Sequence, residues 1–461
     1  MKGDFDVIVI GAGHAGLTAA ICAAESGASV CVLEVSPKNV RGGNSKHTRN
    51  LRPMHESALH PLEGSYGFDE YMDDLLRVTD GETNQALATL TLEASANSVP
   101  WLKDHGVAFQ PPLGGTLHLG RTNAFFLGGG KAVMNALFQC ADKLNITVVY
   151  EALDIQLDVD NGVFRRVDYS HQGNTEHLTA ASLVVAAGGF EANLEWLAEA
   201  WGDAALNFLV RGTPYNRGDI LRQLLAADAV QIGDARQCHA VAIDGRAPQF
   251  DGGICSRIDC VPLGIVVNNQ AVRFYDEGED FWPKRYAIWG RLVAAQPDQV
   301  AYSIIDSQSA GLFMPTVFPP VEAPSLRELA EKLGLPQESL STTVDAFNHS
   351  IVEADFNHQI LDGCHTQGLA IAKTHWARKL DKPPFRAYML RPGITFTYLG
   401  VEVDANARVK FNDSTCTSNI FAAGEIMAGN VLGQGYLAGI GMTIGSVFGR
   451  IAGREAARHA R

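Results

Sequence analysis

The sequence predicts an α/β protein in which a Rossmann-like dinucleotide-binding domain is interrupted by an inserted α+β domain. Three observations indicate this fold class. A glycine-rich turn follows a buried strand near the N-terminus, β-α-β alternation continues from there, and after residue 231 it gives way to mixed aromatic residues, prolines and charges. We therefore place the dinucleotide-binding domain at 1–231 and 361–461, with the insertion at 232–360.

The N-terminal stretch carries a dinucleotide fingerprint. Asp6–Ile10 is typical of a buried parallel strand, Gly11–Gly16 reads G-A-G-H-A-G, and an Ala-rich helical pattern begins at Leu17. The glycines permit a tight turn, close approach to a pyrophosphate and close helix–strand packing, while the helix N-terminus attracts phosphate. Glu34 ends a second strand, where its carboxylate can accept hydrogen bonds from a ribose diol. This pattern fits either FAD or NAD.

Composition and charge exclude several functions. The 461 residues are 46% hydrophobic and 19% charged, as in globular proteins with more than one domain. A net charge of −14 argues against nucleic-acid binding, which needs clustered Lys and Arg. The eight cysteines show no C-x-x-C spacing, so no haem, iron–sulfur or other metal site is expected and electrons must leave to a separate acceptor. Without a signal-peptide pattern or an 18-residue apolar run, the predicted location is the cytoplasm.

Further along the chain, small residues mark places where backbone could lie close to a cofactor. Residues 41–52 read R-G-G-N-S-K-H-T-R-N-L-R directly after the second strand, which fits either contact with a flat ring system or an ordinary polar loop. Arg49 and Arg52 are candidates there for holding a carboxylate or for surface ion pairs. The strand ends at 183–189 and 419–425 are also rich in small residues.

With these segments in order, the chain resembles the flavoprotein family of fumarate reductase and succinate dehydrogenase over essentially its whole length. The fingerprint with Glu34, the strand end Ala186–Gly189, the pair Gly218–Asp219 and the segment Phe421–Glu425 fall at the family's spacing. The resemblance implies FAD rather than NAD, and an inserted domain that caps the isoalloxazine. Within this family the chain looks most like the FAD-dependent tricarballylate dehydrogenases, in stretches 41–52, 273–280 and 425–441.

Position by position, the resemblance implies FAD contacts at Gly11, Ala12, Gly13, His14, Ala15, Gly16, Glu34, Val35, Gly42, Gly43, Asn44, Ser45, Ala187, Gly188, Asp219, Gly424, Glu425, Gly439, Met442 and Thr443. The histidine that binds flavin covalently in succinate dehydrogenase precedes its double glycine. Here His47 follows Gly43, so we expect non-covalent FAD.

Departures from the family pattern argue against fumarate reduction. Ser307–Ala310 contains no counterpart of the catalytic arginine, and Thr395 and Phe396 stand where the family has two histidines. The glycine-flanked Tyr436 resembles flavin ketosteroid dehydrogenases, in which a tyrosine near this position takes part in proton transfer.

The reaction that the resemblance implies is removal of two vicinal hydrogens from a small polycarboxylate, with tricarballylate oxidised to cis-aconitate and hydride passing to FAD N5. Tyr436 is the expected base, with Arg285 and Glu277 as a proton relay. The expected substrate ligands are His239, Arg121, Arg291, Arg391 and Thr397.

Several alternatives stay open from the sequence. A purely structural role is the alternative for two of these residues. Tyr436 would then only pack against the flavin ring, and His239 would only fill the core. The enzyme alternative is a dehydrogenase that forms an α,β-double bond in a ketosteroid-like substrate, and the non-enzyme alternative is an FAD electron-transfer subunit. The expected electron acceptor is a membrane-bound iron–sulfur protein, through which the chain would associate with a membrane.

Overall fold

The structure is a computed structural model that describes residues 4–111, 119–253, 256–411 and 416–461. The helices in these ranges are α1 His14–Glu25, α2 Phe68–Thr79, α3 Gln85–Ser95, α4 Ser98–Asp104, α5 Gly129–Lys143, α6 Leu194–Trp201, α7 Asp219–Ala226, α8 Trp282–Arg285, α9 Trp289–Ala294, α10 Leu326–Leu333, α11 Gln337–His349 and α12 Ile440–His459. Within the described ranges, none of them is both long and apolar enough to cross a bilayer.

The strands in the same ranges are β1 Phe5–Ile10, β2 Val30–Glu34, β3 Asn50–Leu51, β4 Phe109–Gln110, β5 Ala124–Phe126, β6 Thr147–Tyr150, β7 Leu153–Asp160, β8 Val163–His171, β9 Asn174–Leu178, β10 Ala180–Val185, β11 Leu209–Val210, β12 Gln231–Ile232, β13 Cys238–Asp244, β14 Ile265–Asn268, β15 Ala301–Ile305, β16 Val321–Ala323, β17 Ile351–Val352, β18 His365–Thr366, β19 Phe385–Thr397, β20 Gly400–Val401, β21 Arg408–Lys410 and β22 Cys416–Ala422.

A six-stranded sheet of order β21-β22-β10-β1-β2-β6 forms the first layer. Its strands pair in parallel except β21, and Ile10, Val185 and Ala422 lie side by side in register. The carboxyl ends of β1, β10 and β22 therefore meet at one edge, where open α/β sheets bind ligands. The predicted α/β fold class is confirmed.

Helices α1 and α12 pack against each other through small residues. A Cβ on Gly449 would lie 2.8 Å from the carbonyl oxygen of Ala15, and one on Gly453 would overlap the carbonyl oxygen of Ala19. This close approach holds α12 against the helix that begins at the fingerprint, so the N-termini of both helices reach the same edge of the sheet.

A second sheet is built around β19, which is 13 residues long. It pairs with β11, β13, β15 and β16, while β14 pairs with β15. The sheet thus extends from Leu209 to Thr397, beyond the predicted insertion at 232–360 on both sides. Most residues of β19 are buried, and the sequence of a strand does not tell which sheet the strand joins.

We expect Gly453→Ala to destabilise the protein by about 1–3 kcal/mol, because the added methyl group forces α1 and α12 apart. Urea unfolding of the FAD-loaded protein measures this. The control is Gly67→Ala, whose Cβ meets only Glu56 carboxylate oxygens at 3.7 Å. Equal stability of the two variants would contradict the proposed packing constraint.

Candidate functional site

A cavity of about 570 Å³ runs from the carboxyl edge of the six-stranded sheet to the second sheet. At one end lie Gly11, Gly13 and Glu34, and at the other lie His239 and Tyr436. The cavity therefore joins the predicted dinucleotide site to two of the predicted substrate-site residues.

The fingerprint end has the geometry that a dinucleotide requires. Gly11 has a φ of +96°, and a Cβ there would lie 2.5 Å from the carbonyl oxygen of Ala186. Gly13 precedes α1 and has no side chain of its own to cap the helix. The N–H of His14, the first helical residue, donates to the Ser45 hydroxyl at 3.0 Å. The start of α1 thus lies against the cavity, where a helix N-terminus attracts phosphate. The buried Glu34 carboxylate accepts the backbone N–H groups of Ala12 at 2.7 Å and Ser36 at 2.9 Å, which fixes it at the strand end.

Most of the predicted FAD contacts line this cavity. They are Gly11, Gly13, His14, Ala15, Glu34, Val35, Gly43, Asn44, Ser45, Ala187, Gly188, Asp219, Gly424, Glu425, Gly439 and Met442. The four others lie behind the lining. Ala12 holds Glu34, Gly16 packs against Gly11, Gly42 packs against Met134, and the Thr443 hydroxyl donates to the Arg52 carbonyl oxygen at 2.6 Å. The residues present fit FAD.

Three arginines converge on the far end of the cavity: Arg49, Arg211 and Arg257. Arg257 donates from Nε and Nη2 to the two carboxylate oxygens of Asp259 at 2.5 and 3.0 Å, and Arg49 Nη2 lies 4.0 Å from the same carboxylate. Buried Arg211 has no hydrogen-bond partner for Nε or Nη1 among the described residues. Three guanidinium charges thus face one carboxylate.

The pKa values of these groups follow from burial and mutual repulsion. Burial, reinforced by the charge of Arg257, lowers the pKa of Arg49 to about 9 and that of Arg211 to about 10. Burial also acts to lower the pKa of Arg257, but the ion pair with Asp259 has the larger effect. The pKa of Arg257 is therefore raised. All three therefore remain cations at neutral pH.

His239 and Tyr436 lie beside this arginine cluster as a parallel stack. Their ring centroids are 3.9 Å apart with 1° between the planes, and Tyr286 meets the histidine edge-on. Burial first, then Arg211 and other arginines, hold the pKa of His239 well below its usual value, so the ring is neutral. Burial raises the pKa of Tyr436, whose hydroxyl accepts the Gly441 N–H at 3.2 Å. A phenol that keeps its own proton cannot accept one from a substrate, so the raised pKa argues against Tyr436 as the base.

Two of the predicted substrate arginines lie outside the cavity lining. Arg121 is half exposed and pairs with Glu70, with one hydrogen bond of 2.7 Å. Arg391 donates to the backbone carbonyl oxygens of Asp298 at 2.6 Å and Gln299 at 3.3 Å. Both guanidinium groups already have partners, which corrects the prediction that they bind substrate.

The predicted proton relay also lies elsewhere. Arg285 bonds to Glu279 and donates to the Tyr275 hydroxyl at 2.9 Å. The buried Glu277 pairs with Arg273 at 2.6 Å and accepts the Val266 N–H at 2.8 Å. Neither residue lines the cavity. The geometry therefore corrects their predicted role, since Glu277 serves to hold β14.

Arg291 and Thr397 lie just behind the cavity. Arg291 donates to the Gln237 side chain, and its buried Nε has no partner among the described residues. The Thr397 hydroxyl accepts a hydrogen bond from the Phe190 N–H at 3.3 Å, and the backbone N–H of Thr397 donates to Glu425 Oε1 at 2.8 Å. Neither lines the cavity, so the geometry corrects their predicted direct contact with substrate.

The sequence interpretation missed Arg211 and Arg257, whereas it named Arg49 as a candidate. Arg211 follows β11, and Arg257 follows β13 in the chain. The one available signal was the R-x-D spacing of Arg257 and Asp259, because alternate residues of an extended segment share a face. No local pattern marks Arg211.

Two carboxyl groups, those of Glu191 and Glu425, lie close together at the cavity. Both occupy the space that a Cβ on Gly189 would need, and Glu425 lines the cavity while Glu191 is buried behind it. Asn44 and Asn216 donate to Glu191 Oε1, the latter at 2.7 Å. Burial raises the pKa of Glu191 to about 7, and burial with the charge of Glu191 raises that of Glu425 well above its usual value.

Comparison with known proteins decides the family. A model described as an FAD binding domain matches residues 6–442. The chain belongs to this family. FAD is therefore its cofactor, as predicted, and the resemblance to the fumarate reductase and succinate dehydrogenase flavoproteins is confirmed.

Relatives of this flavoprotein are oxidoreductases of carbon–carbon bonds, the class that the sequence predicts. NADH:fumarate oxidoreductase of Klebsiella pneumoniae is 26% identical over 99% of this chain, which spans 48% of that protein, about half its length. The probable fumarate reductase Ifc3 of Shewanella frigidimarina is 26% identical over 98% of this chain and 75% of its own. Urocanate reductase of Eggerthella lenta is 24% identical over 98% of this chain and 75% of its own length.

Two solved structures share the fold. The open conformation of a flavocytochrome c3 fumarate reductase has a TM-score of 0.77 at 23% identity, covering 99% of this chain and 78% of its own. The 3-ketosteroid-Δ4-(5α)-dehydrogenase from Rhodococcus jostii RHA1 has a TM-score of 0.74 at 22% identity, covering 98% and 96%. At these identities the likeness concerns the fold alone.

We expect Glu191→Gln to reduce the pH dependence of stability. A raised folded pKa means that the protonated carboxyl stabilises the native state, and this contribution is lost as pH rises from about 4.5 to about 7, at up to about 3 kcal/mol. The introduced amide mimics the protonated carboxyl and keeps an acceptor for Asn44 and Asn216. Urea unfolding of FAD-loaded protein across this pH range measures the slope, with exposed Glu195→Gln as the control. Identical slopes in all three proteins would contradict the assignment.

Proposed function

We propose that this flavoprotein is a dehydrogenase of small polycarboxylates, with tricarballylate, oxidised to cis-aconitate, as the favoured substrate. One observation carries the proposal: Arg49, Arg211 and Arg257 line the cavity beside the FAD residues and, in the part of the chain that the structure describes, share only Asp259 as a counter-charge. Buried guanidinium groups need anionic partners, and arginine matches the geometry of a carboxylate.

Bound FAD would supply the acceptor for a hydride. The residues of the chain provide the rest of the chemistry. The arginine cluster orients the substrate carboxylates and stabilises the negative charge that develops on a carboxylate when the neighbouring C–H bond is broken. The stacked rings of His239 and Tyr436 form an aromatic wall at the same end of the cavity.

Charge separates this proposal from a ketosteroid-like substrate. Three guanidinium groups against Asp259 leave an excess of two positive charges, which two carboxylates of a substrate would neutralise. A neutral steroid would leave that charge buried and unpaired, at a cost of several kcal/mol. The similarity to a ketosteroid dehydrogenase structure extends to the fold and gives no argument against this charge balance.

The electrons need a route out of the protein after substrate oxidation. We propose a separate acceptor, because the eight scattered cysteines provide no ligand pattern for a second redox centre within this chain. The resemblance to the succinate dehydrogenase flavoproteins suggests a membrane-bound iron–sulfur protein for this role. The relatives named as reductases of fumarate and urocanate raise the reverse direction as a second candidate. In that direction the same cluster would bind an unsaturated carboxylate.

Anaerobic bleaching of the bound flavin decides among these functions. Bleaching by tricarballylate, but not by succinate or a 3-ketosteroid, is the expected result. Bleaching by the steroid alone would support the ketosteroid alternative, and reoxidation of chemically reduced enzyme by fumarate or urocanate, without bleaching by tricarballylate, would support a reductase. If the flavin responds to none of these compounds, the result would support the remaining alternative, a non-catalytic FAD electron-transfer subunit.

We expect Arg211→Gln to weaken cis-aconitate binding to the oxidised enzyme about 10- to 100-fold, because a charge-assisted hydrogen bond to a carboxylate contributes about 1.5–3 kcal/mol. Titration of the flavin absorption spectrum measures Kd. Arg121→Gln is the matched control, since its exposed ion pair with Glu70 lies outside the cavity, and its Kd is expected to stay within about 3-fold of the unmodified protein. Equal losses in both variants would refute the assignment of Arg211.

A further inference from the structure

His239 has the features of a base that its surroundings hold inactive. The ring is buried, lines the cavity, and leaves Nδ1 without a hydrogen-bond partner among the described residues. It lies on β13 at a register shift between His239 and Ala240 opposite β19, which breaks the regular pairing at this position. The charged and titratable groups that face it are Arg211, Arg257, Arg291, Tyr286 and Tyr436.

The charge of a bound substrate acts in opposite directions on the two stacked rings. Arginine charges oppose protonation of His239, so carboxylates that neutralise them raise its proton affinity. The charge of Arg211 favours the ionised form of Tyr436, so the same carboxylates make this phenol harder to ionise. Binding of a polyanion therefore improves the histidine as a base and weakens the tyrosine.

We infer that His239, rather than Tyr436, takes the substrate proton, and that it becomes a base only when substrate carboxylates neutralise the arginines around it. This inference rests on the proposed function and names a catalytic group for it. Tyr436 then acts as a neutral partner that stacks on the imidazole ring and fixes its plane.

The proposed reaction is a two-electron oxidation of the substrate. One C–H bond of the saturated substrate breaks heterolytically and its proton passes to neutral His239, which becomes an imidazolium, while the pair of electrons forms the new C=C bond. The hydrogen on the adjacent carbon leaves as a hydride to the oxidised flavin, the oxidant that the family membership supplies. The substrate loses two electrons and two hydrogens, and the imidazolium later releases its proton to solvent.

Proton uptake on ligand binding tests this inference without turnover. Cis-aconitate is titrated into the oxidised, FAD-loaded protein by calorimetry in two buffers of different ionisation enthalpy, at a pH near 8 where the ligand is ionised. We expect uptake that rises toward one proton per site as pH falls. Uptake is expected to persist in Tyr436→Phe and to be lost in His239→Asn, with exposed His177→Asn as the matched control.

A second variant tests the electrostatic part of the inference without altering the ring. Arg291→Gln removes a positive charge that faces His239 from outside the cavity lining. Because that charge opposes protonation, its removal should shift the pH midpoint of proton uptake upward. The rate of flavin bleaching by tricarballylate should fall at least 100-fold in His239→Asn, the range of general-base catalysis, and less in Tyr436→Phe.

Each remaining outcome overturns the inference. Undiminished uptake in His239→Asn would place the proton elsewhere, and a loss of bleaching confined to Tyr436→Phe would make the tyrosine the base. Binding of cis-aconitate without proton uptake would refute the charge-controlled base and leave the proposed polycarboxylate site standing. Absence of binding would refute the proposed function and this inference together.

Discussion

Positive charge buried between the two sheets is the constraint on which the candidate substrate site depends. A guanidinium group out of water is unfavourable unless an anion accompanies it, and within the described residues the cluster of Arg49, Arg211 and Arg257 has only Asp259. Trp282 donates to the same carboxylate at 2.7 Å, which helps to hold Asp259 in place. Among the described residues, the cluster therefore carries more positive than negative charge, which is the basis of the proposed anionic substrate.

The opposite situation holds in the wall of the same cavity. Glu191 and Glu425 face each other with no cation between them in the described ranges, so the pair is relieved by keeping a proton rather than by binding an anion. Asn44 connects this pair to the second sheet, because it donates to Glu191 and to the Thr395 carbonyl oxygen and accepts the Thr213 N–H. One side chain thus ties the FAD-binding edge to both β11 and β19 through neighbouring residues.

The sequence predicted the parts of the structure that depend on local spacing. The fingerprint at Gly11–Gly16 and its acid Glu34 lie within one βαβ unit, so a short pattern defines their geometry. The substrate arginines could not be ranked in this way, because their role depends on which counter-charge each meets in space. Arg121 meets Glu70, whereas Nε and Nη1 of Arg211 meet no partner among the described residues, and neither fact is visible along the chain.

If the arginines bind the substrate as proposed, their positions also explain how one fold serves different substrates. Arg49, Arg211 and Arg257 all lie outside the strands of the six-stranded sheet, which positions the FAD residues. Substitution of these arginines therefore changes the charge of the substrate end without altering the carboxyl edge at Ile10 and Val185. A fold does not by itself fix a function, because function depends on the side chains of the site. On the proposed function, the charged side chains at the far end of the cavity select the substrate, whereas the six-stranded sheet positions the residues that bind FAD.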